Sequence, residues 1–133
     1  MTQAVVLDTD VASLIFKRRP APILTRVVGM DPLIAFVTRG ELIKWAGMHG
    51  WGRHNRERLT SWLAGMPTLP GNESVADVWG IVSAATSLRG RPRPQNDMWI
   101  AATCLTFGLP LATLNVKDYE DFVEYHGLQL VTV

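Results

Sequence analysis

Four carboxylates stand where a strand should end or a helix should begin: Asp8, Glu41, Asp97 and Asp118, with Asn115 beside the last of them. In a parallel α/β sheet such positions converge at the carboxyl edge. Carboxylates about 4 Å apart repel by roughly 4 kcal/mol per pair at an effective dielectric of about 20, so a cluster of them requires a compensating charge. Oxygen-rich sets of this kind bind Mg²⁺ or Mn²⁺, ions that keep waters and take phosphate oxygens as further ligands. The chemistry that follows is phosphodiester hydrolysis, in which the ion acidifies a water and neutralises charge developing on the phosphate. Zinc is disfavoured, because His49, His54 and His126 have no i, i+4 partner and Cys104 is the single cysteine. Each acid also has a structural account. Asp8 and Asp10 can cap a first helix, Thr38-Arg39-Gly40-Glu41 fits a capping box, Asp97 can be an N-cap, and Asn115 with Asp118 can cap a final short helix. Their joint spacing is what points to a site.

The elements that must position these residues alternate between strand and helix. Ala4 to Leu7 reads as a buried strand ending at Asp8, and Val11 to Phe16 as an apolar helix closed by Lys17-Arg18-Arg19-Pro20. Helix is expected at Ala21–Val28, strand at Pro32–Val37, and a capped helix at Leu42–Met48. His54–Leu63 reads as helix, Pro67–Pro70 as a short strand, and Glu73–Leu88 as a helix with apolar positions at helical spacing. A helix opening at Asn96 or Asp97 and running to Phe107, a strand Leu109–Thr113, a turn through Asp121 and a strand Leu128–Val133 complete the chain. The fold class predicted is α/β, a mainly parallel central sheet flanked by helices on both faces, in a single domain spanning residues 1–133.

With 133 residues, 47% of them hydrophobic and 19% charged, the chain can bury a substantial core without staples. No apolar run approaches the roughly 18 residues of a membrane span, and Met1 to Asp10 lacks the order of a signal peptide. A cytoplasmic protein with no membrane partner is expected. Cys104, among Ile100, Ala101, Leu105 and Phe107, reads as a packed thiol. Net charge is only +1, but Lys17-Arg18-Arg19, Arg53 to Arg58 and Arg89 to Arg93 form local basic clusters. The five tryptophans read as core or interface anchors.

Leu7-Asp8-Thr9-Asp10, Gly40-Glu41-Leu42, Asn96-Asp97-Met98-Trp99-Ile100-Ala101-Ala102 and Ala112-Thr113-Leu114-Asn115-Val116-Lys117-Asp118-Tyr119 resemble the successive acidic motifs of PIN domains. More narrowly, they resemble the VapC-type toxins of bacterial toxin-antitoxin pairs, and the series covers essentially the whole chain in order. The resemblance implies a three-layer α/β/α fold and a Mg²⁺- or Mn²⁺-dependent endoribonuclease acting on structured RNA, tRNA or rRNA. It further implies a homodimer and a cognate VapB-type antitoxin whose C-terminal segment covers the site. By the same resemblance Asp8, Glu41, Asp97 and Asp118 are metal ligands, and Asn115 stands where many PIN domains carry a fourth acid. Thr9 and Thr113 are supporting polar groups, while Asp10 departs from the Asn often found there. Asn at 115 removes one negative charge and suits a one-metal site. Arg18, Arg19, Arg91 and Arg93 are expected to contact RNA phosphates, and the inhibitor to lie over Val11–Phe16 and the Trp45 face.

Two alternatives share parts of this pattern. The Asp8-Thr9-Asp10 opening also resembles haloacid-dehalogenase-type phosphatases, although the Thr113 strand follows Asp97 where that fold needs it to precede the acidic pair. A non-catalytic PIN-like binding domain would keep the fold and tolerate Asp97→Asn.

Overall fold

Alternate residues of the strands sort onto two faces, and both faces are apolar. Val5, Leu7, Ile34 and Ala112 enter one core with Val11, Ala12 and Phe16, while Val6, Ala35 and Leu111 enter the other with Met98, Ile100, Ala101, Tyr119 and Phe122. A strand buried on both sides belongs inside a parallel sheet sandwiched by helices. The computed structural model describes residues 2–133 and has that architecture.

In chain order the elements are β1 (Ala4–Leu7), α1 (Thr9–Phe16), α2 (Leu24–Val27), β2 (Asp31–Ala35), α3 (Phe36–Met48), α4 (Arg53–Ala64) and β3 (Thr68–Leu69). They continue with α5 (Glu73–Leu88), α6 (Gln95–Phe107), β4 (Leu111–Ala112), α7 (Val116–His126) and β5 (Leu130–Val131). The strands lie in the order β3-β2-β1-β4-β5 and every pairing is parallel. The chain leaves β1 toward β2 on one side and later returns to β4 on the other, so the strand order reverses between β1 and β4. A crevice opens at such a reversal, beyond the carboxyl ends of the strands. The Asp8 amide donates to the Ala112 carbonyl at 3.0 Å and ties the two strand ends together there.

Several boundaries differ from the sequence reading. The helix expected at Ala21–Val28 is a single turn, Leu24–Val27. The second strand ends at Ala35 and α3 begins at once, with Ala35 as a cap that makes no side-chain hydrogen bond. Thr38 and Glu41 are therefore inside the helix and do not form a capping box. Tertiary contacts explain the shift: Phe36 packs edge-on against Trp99 with ring centroids 5.6 Å apart, and Val37 joins the second core. Helix α6 starts earlier than expected, at Gln95, behind Pro94 with its φ of −55°. Asp97 is thus a first-turn residue and not the cap. The strands expected at Leu109–Thr113 and Leu128–Val133 shorten to Leu111–Ala112 and Leu130–Val131, and the turn through Asp121 is instead the 11-residue helix α7.

All five tryptophans are half-buried. Trp45, Trp51 and Trp62 pack on the first core, while Trp79 and Trp99 stack with centroids 4.8 Å apart. Cys104 is fully buried and its thiol is pushed up by that burial, in keeping with a packed group. Among the described residues no helix is long and apolar enough to cross a membrane.

A buried ion pair ties α5 to α7, the helices on either side of α6. Arg89 Nη2 and Nε donate to the two carboxylate oxygens of Asp121 at 2.5 and 3.3 Å, and the guanidinium lies 4.2 Å from the Tyr125 ring centroid. Asp121 is only 6% exposed. Arg89→Met should leave this carboxylate without its cation and lower the stability of the fold. Urea unfolding would measure it, and adding Asp121→Asn should recover part of the loss.

Candidate active site

Asp8 follows the last residue of β1 and caps α1, its Oδ1 accepting from the Val11 amide at 2.9 Å. Its Oδ2 accepts from the Thr113 hydroxyl, carried just beyond β4, at 2.6 Å. Thr113 in turn accepts from the Asn115 amide at 2.9 Å. Asp8 is 4% exposed, and burial pushes its pKa up to about 6. The Thr113 and Val11 donors oppose that rise, while the charges of Asp10 and Asp97 add to it.

Glu41, a turn and a half into α3, is held by the Thr9 hydroxyl, which donates to Oε1 at 2.8 Å. Since that bond uses the only hydroxyl proton of Thr9, the fully buried Thr38 hydroxyl donates to Thr9 across 3.1 Å. Asp97, in the first turn of α6, accepts from the Tyr119 hydroxyl of α7 at 3.2 Å. Its pKa is raised, first by burial and then by Asp118, with Glu41 adding to the rise and Tyr119 and Arg93 opposing it. Asp118, in the first turn of α7, is half exposed and stands 3.6 Å from Arg93 Nη2. The Asn115 amide nitrogen donates to Asp10 at 2.8 Å, so any ligand role of Asn115 falls to its carbonyl oxygen.

These side chains line one cup of about 160 Å³, formed by Asp8, Thr9, Asp10, Glu41, Asn96, Asp97, Asn115 and Asp118 with Trp45, Ile100 and Tyr119. The elements β1, α1, α3, α6 and α7 and the segment after β4 therefore bring together every acidic residue singled out in the sequence. The arginines separate. Arg93 reaches the cup, Arg91 is exposed on the loop before it, and Arg18 lines a different groove of about 550 Å³ with Ile15, Phe16, His54, Arg58 and Trp62. Arg19 is exposed beyond the end of α1. The apolar residues Val11, Ala12 and Phe16 of α1, expected to receive an inhibitor, are already covered by the protein's own core. Tyr119 and Thr38 are supporting groups to which the sequence reading gave no such role. For Tyr119 the available signal was its pairing with Phe122 on the inward face of an amphipathic α7.

Three comparisons bear on this geometry. No family model matches the chain. The chain is 31% identical over 123 residues to ribonuclease VapC1 of Haemophilus influenzae, a match spanning 86% of this chain and 89% of that protein. The chain belongs to the VapC family. A second relative, ribonuclease VapC2 of the same species, is 27% identical over 117 residues. Among solved structures, VapBC-1 from nontypeable H. influenzae superposes with a TM-score of 0.79 at 28% identity, covering 96% of each chain. VapBC2 from Rickettsia felis, bound to a promoter DNA fragment, shares the fold with a TM-score of 0.82 at 16% identity over 98% of this chain and 99% of that one.

A divalent ion fits this VapC cup by the chemistry of its donors. Asp8, Glu41, Asp97 and Asp118 are hard oxygen donors facing one space, and two of them have raised pKa values partly because of their neighbours' charges. Among the described residues no three His, Cys, Asp or Glu side chains stand close enough together to hold a metal ion as they are placed. Carboxylates spaced in this way suit an ion that keeps waters and accepts further ligands from a substrate.

The raised pKa of Asp8 has a definite sign. Its usual value of 3.8 becomes about 6 on folding, so the folded state holds the proton more tightly. Stability from this group is full below about pH 4 and falls as pH rises to about 6. Without divalent ions, Asp8→Asn should therefore unfold at higher temperature than the native chain at pH 7, by about 1 to 3 kcal/mol of stability, and the two should converge near pH 4. Calorimetric melting of both across that range checks the expectation.

Proposed function

We propose that this chain is a Mg²⁺- or Mn²⁺-dependent endoribonuclease toxin of the VapC type, cutting structured RNA such as tRNA or rRNA and restrained by a VapB-type antitoxin. The single observation that carries the catalytic part is the convergence of Asp8, Glu41, Asp97 and Asp118 on one cup at the strand-order reversal. The ribonuclease and antitoxin parts are supported by membership of a family whose relatives are named ribonuclease VapC and by likeness to VapBC complexes.

In this reading the four carboxylates hold the ion. When bound, the ion supplies charge neutralisation at the scissile phosphate and lowers the pKa of a water. The chain's own groups set the geometry before substrate arrives. Val11 and Thr113 fix both oxygens of Asp8, Thr9 backed by Thr38 fixes Glu41, and Tyr119 fixes Asp97. Each of these three acids is thereby oriented by a donor that leaves other lone pairs free for a ligand. Arg91 and Arg93 near the cup, and Arg18 and Arg19 beyond α1, would take phosphates on either side of the cleavage point.

The antitoxin would find apolar purchase in the groove of about 370 Å³ between α3 and α4, lined by Ile43, Ala46, Leu59 and Leu63 with Arg39 and Arg56. Ile43 is 54% exposed on that side of α3. Action on cellular RNA would place the protein in the cytoplasm, and a homodimer is expected from the family resemblance.

Induced expression of the native chain should arrest growth and produce a discrete fragment on a total-RNA gel. Asp97→Asn should do neither, since loss of one metal carboxylate costs on the order of a hundredfold or more in rate. Equal behaviour of the two folded chains, with no fragment from either, would favour the non-catalytic binding domain. Replacing Arg18 and Arg19 with Gln should reduce the slope of log affinity for RNA against log salt by about 0.7 to 0.9 for each phosphate contact removed. Filter binding at several salt concentrations measures it, and an unchanged slope would remove these two residues from the RNA surface.

A further inference from the structure

Arg93 occupies a position that a structural arginine would not favour. It lies between Pro92 and Pro94, just before α6, where the partial positive charge of the helix N-terminus opposes a cation. Both prolines restrict the backbone and leave the side chain to reach the cup from a fixed base. Once there it is poorly satisfied. Its Nε is buried with no hydrogen-bond partner, and its one acidic contact, Nη2 to Asp118 Oδ1, is 3.6 Å long. A half-buried guanidinium whose Nε is sealed from solvent ordinarily finds closer partners. Its guanidinium faces the acids of the cup: the contact is to Asp118, and its charge also opposes the rise in the Asp97 pKa.

We infer that Arg93 is the resident counter-cation of the Asp97 and Asp118 side of the cup, and that it competes with the divalent ion for those carboxylates. The inference rests on reading the cup as a divalent-ion site. In the ion-free chain Arg93 relieves part of the repulsion among the acids. When an ion binds, that role lapses, and the two cations repel each other across the same carboxylates. The guanidinium, whose Nε already lacks a partner, is then free for an RNA phosphate, so that ion binding and substrate binding are linked through one side chain. Arg91 differs, because it is exposed and makes no ion pair among the described residues.

The test is calorimetric titration of Mn²⁺ into the native chain, Arg93→Gln and Arg91→Gln, at low and high salt. Arg93→Gln should bind Mn²⁺ about threefold to tenfold more tightly than the native chain at low salt, with the difference shrinking as salt rises. Arg91→Gln should bind as the native chain does. Cleavage of total RNA by Arg93→Gln should nonetheless fall, an opposition that a merely structural role would not produce, since loss of structure weakens both. Arg93→Met keeps the apolar stem and serves as the second charge-free variant should the Gln side chain impair folding. Mn²⁺ affinity equal to or weaker than native in the folded variants would overturn the competition. Absence of Mn²⁺ binding by the native chain would overturn the reading of the cup, and this inference with it.

Discussion

Asp8 is held at the end of β1 by the Val11 amide and the Thr113 hydroxyl, and the rest of the cup is arranged about that anchor. The two donors come from opposite sides of the strand-order reversal, so the bond to Thr113 joins residues 105 positions apart. It is formed only when β1 and β4 pair in register, as the Asp8 amide to Ala112 carbonyl bond also requires. The most buried acid of the site is thus oriented by the same contact that closes the sheet. That placement carries a cost in the absence of a cation, because burial and neighbouring acids both oppose its ionisation.

The remaining acids are placed by helices that meet at this edge. Glu41 enters from α3, Asp97 from α6 and Asp118 from α7, and hydroxyls orient two of them: Thr9 for Glu41 and Tyr119 for Asp97. Thr38, fully buried, supports Thr9 without touching the cup. A set of acids oriented by neutral donors keeps its negative charge, which is what a hard cation requires. Among the described residues Arg93 is the cation paired with an acid of the cup, and its long contact to Asp118 leaves that charge only partly offset.

Much of this was legible in the residues. The parallel α/β class follows from apolar runs buried on both faces, and the acids after β1 and β4 and at the start of α6 fall where such a sheet gathers its polar groups. The start of α3 was not legible. Thr38 and Glu41 have the local signature of a capping box, but Phe36 packing on Trp99 and the use of the Thr38 hydroxyl by Thr9 draw the helix start back to Phe36. Linear order likewise could not separate the arginines. Arg18 and Arg93 look alike in sequence, yet α1 carries Arg18 away from the cup into a separate groove while the segment before α6 brings Arg93 within 3.6 Å of Asp118. Tyr119 carried no sign of its place in the site, because its ring is core and only its hydroxyl reaches Asp97.

In the proposed reading the carboxylate cup acts through a divalent ion. The most direct measurement is cleavage of total RNA by the purified chain with Mg²⁺ or Mn²⁺ present, after chelation, and after the ion is restored in excess. Discrete fragments that vanish with the chelator and return with the ion are the result expected. Cleavage undiminished by chelation would contradict the account, as would a folded, ion-loaded chain that cuts no RNA.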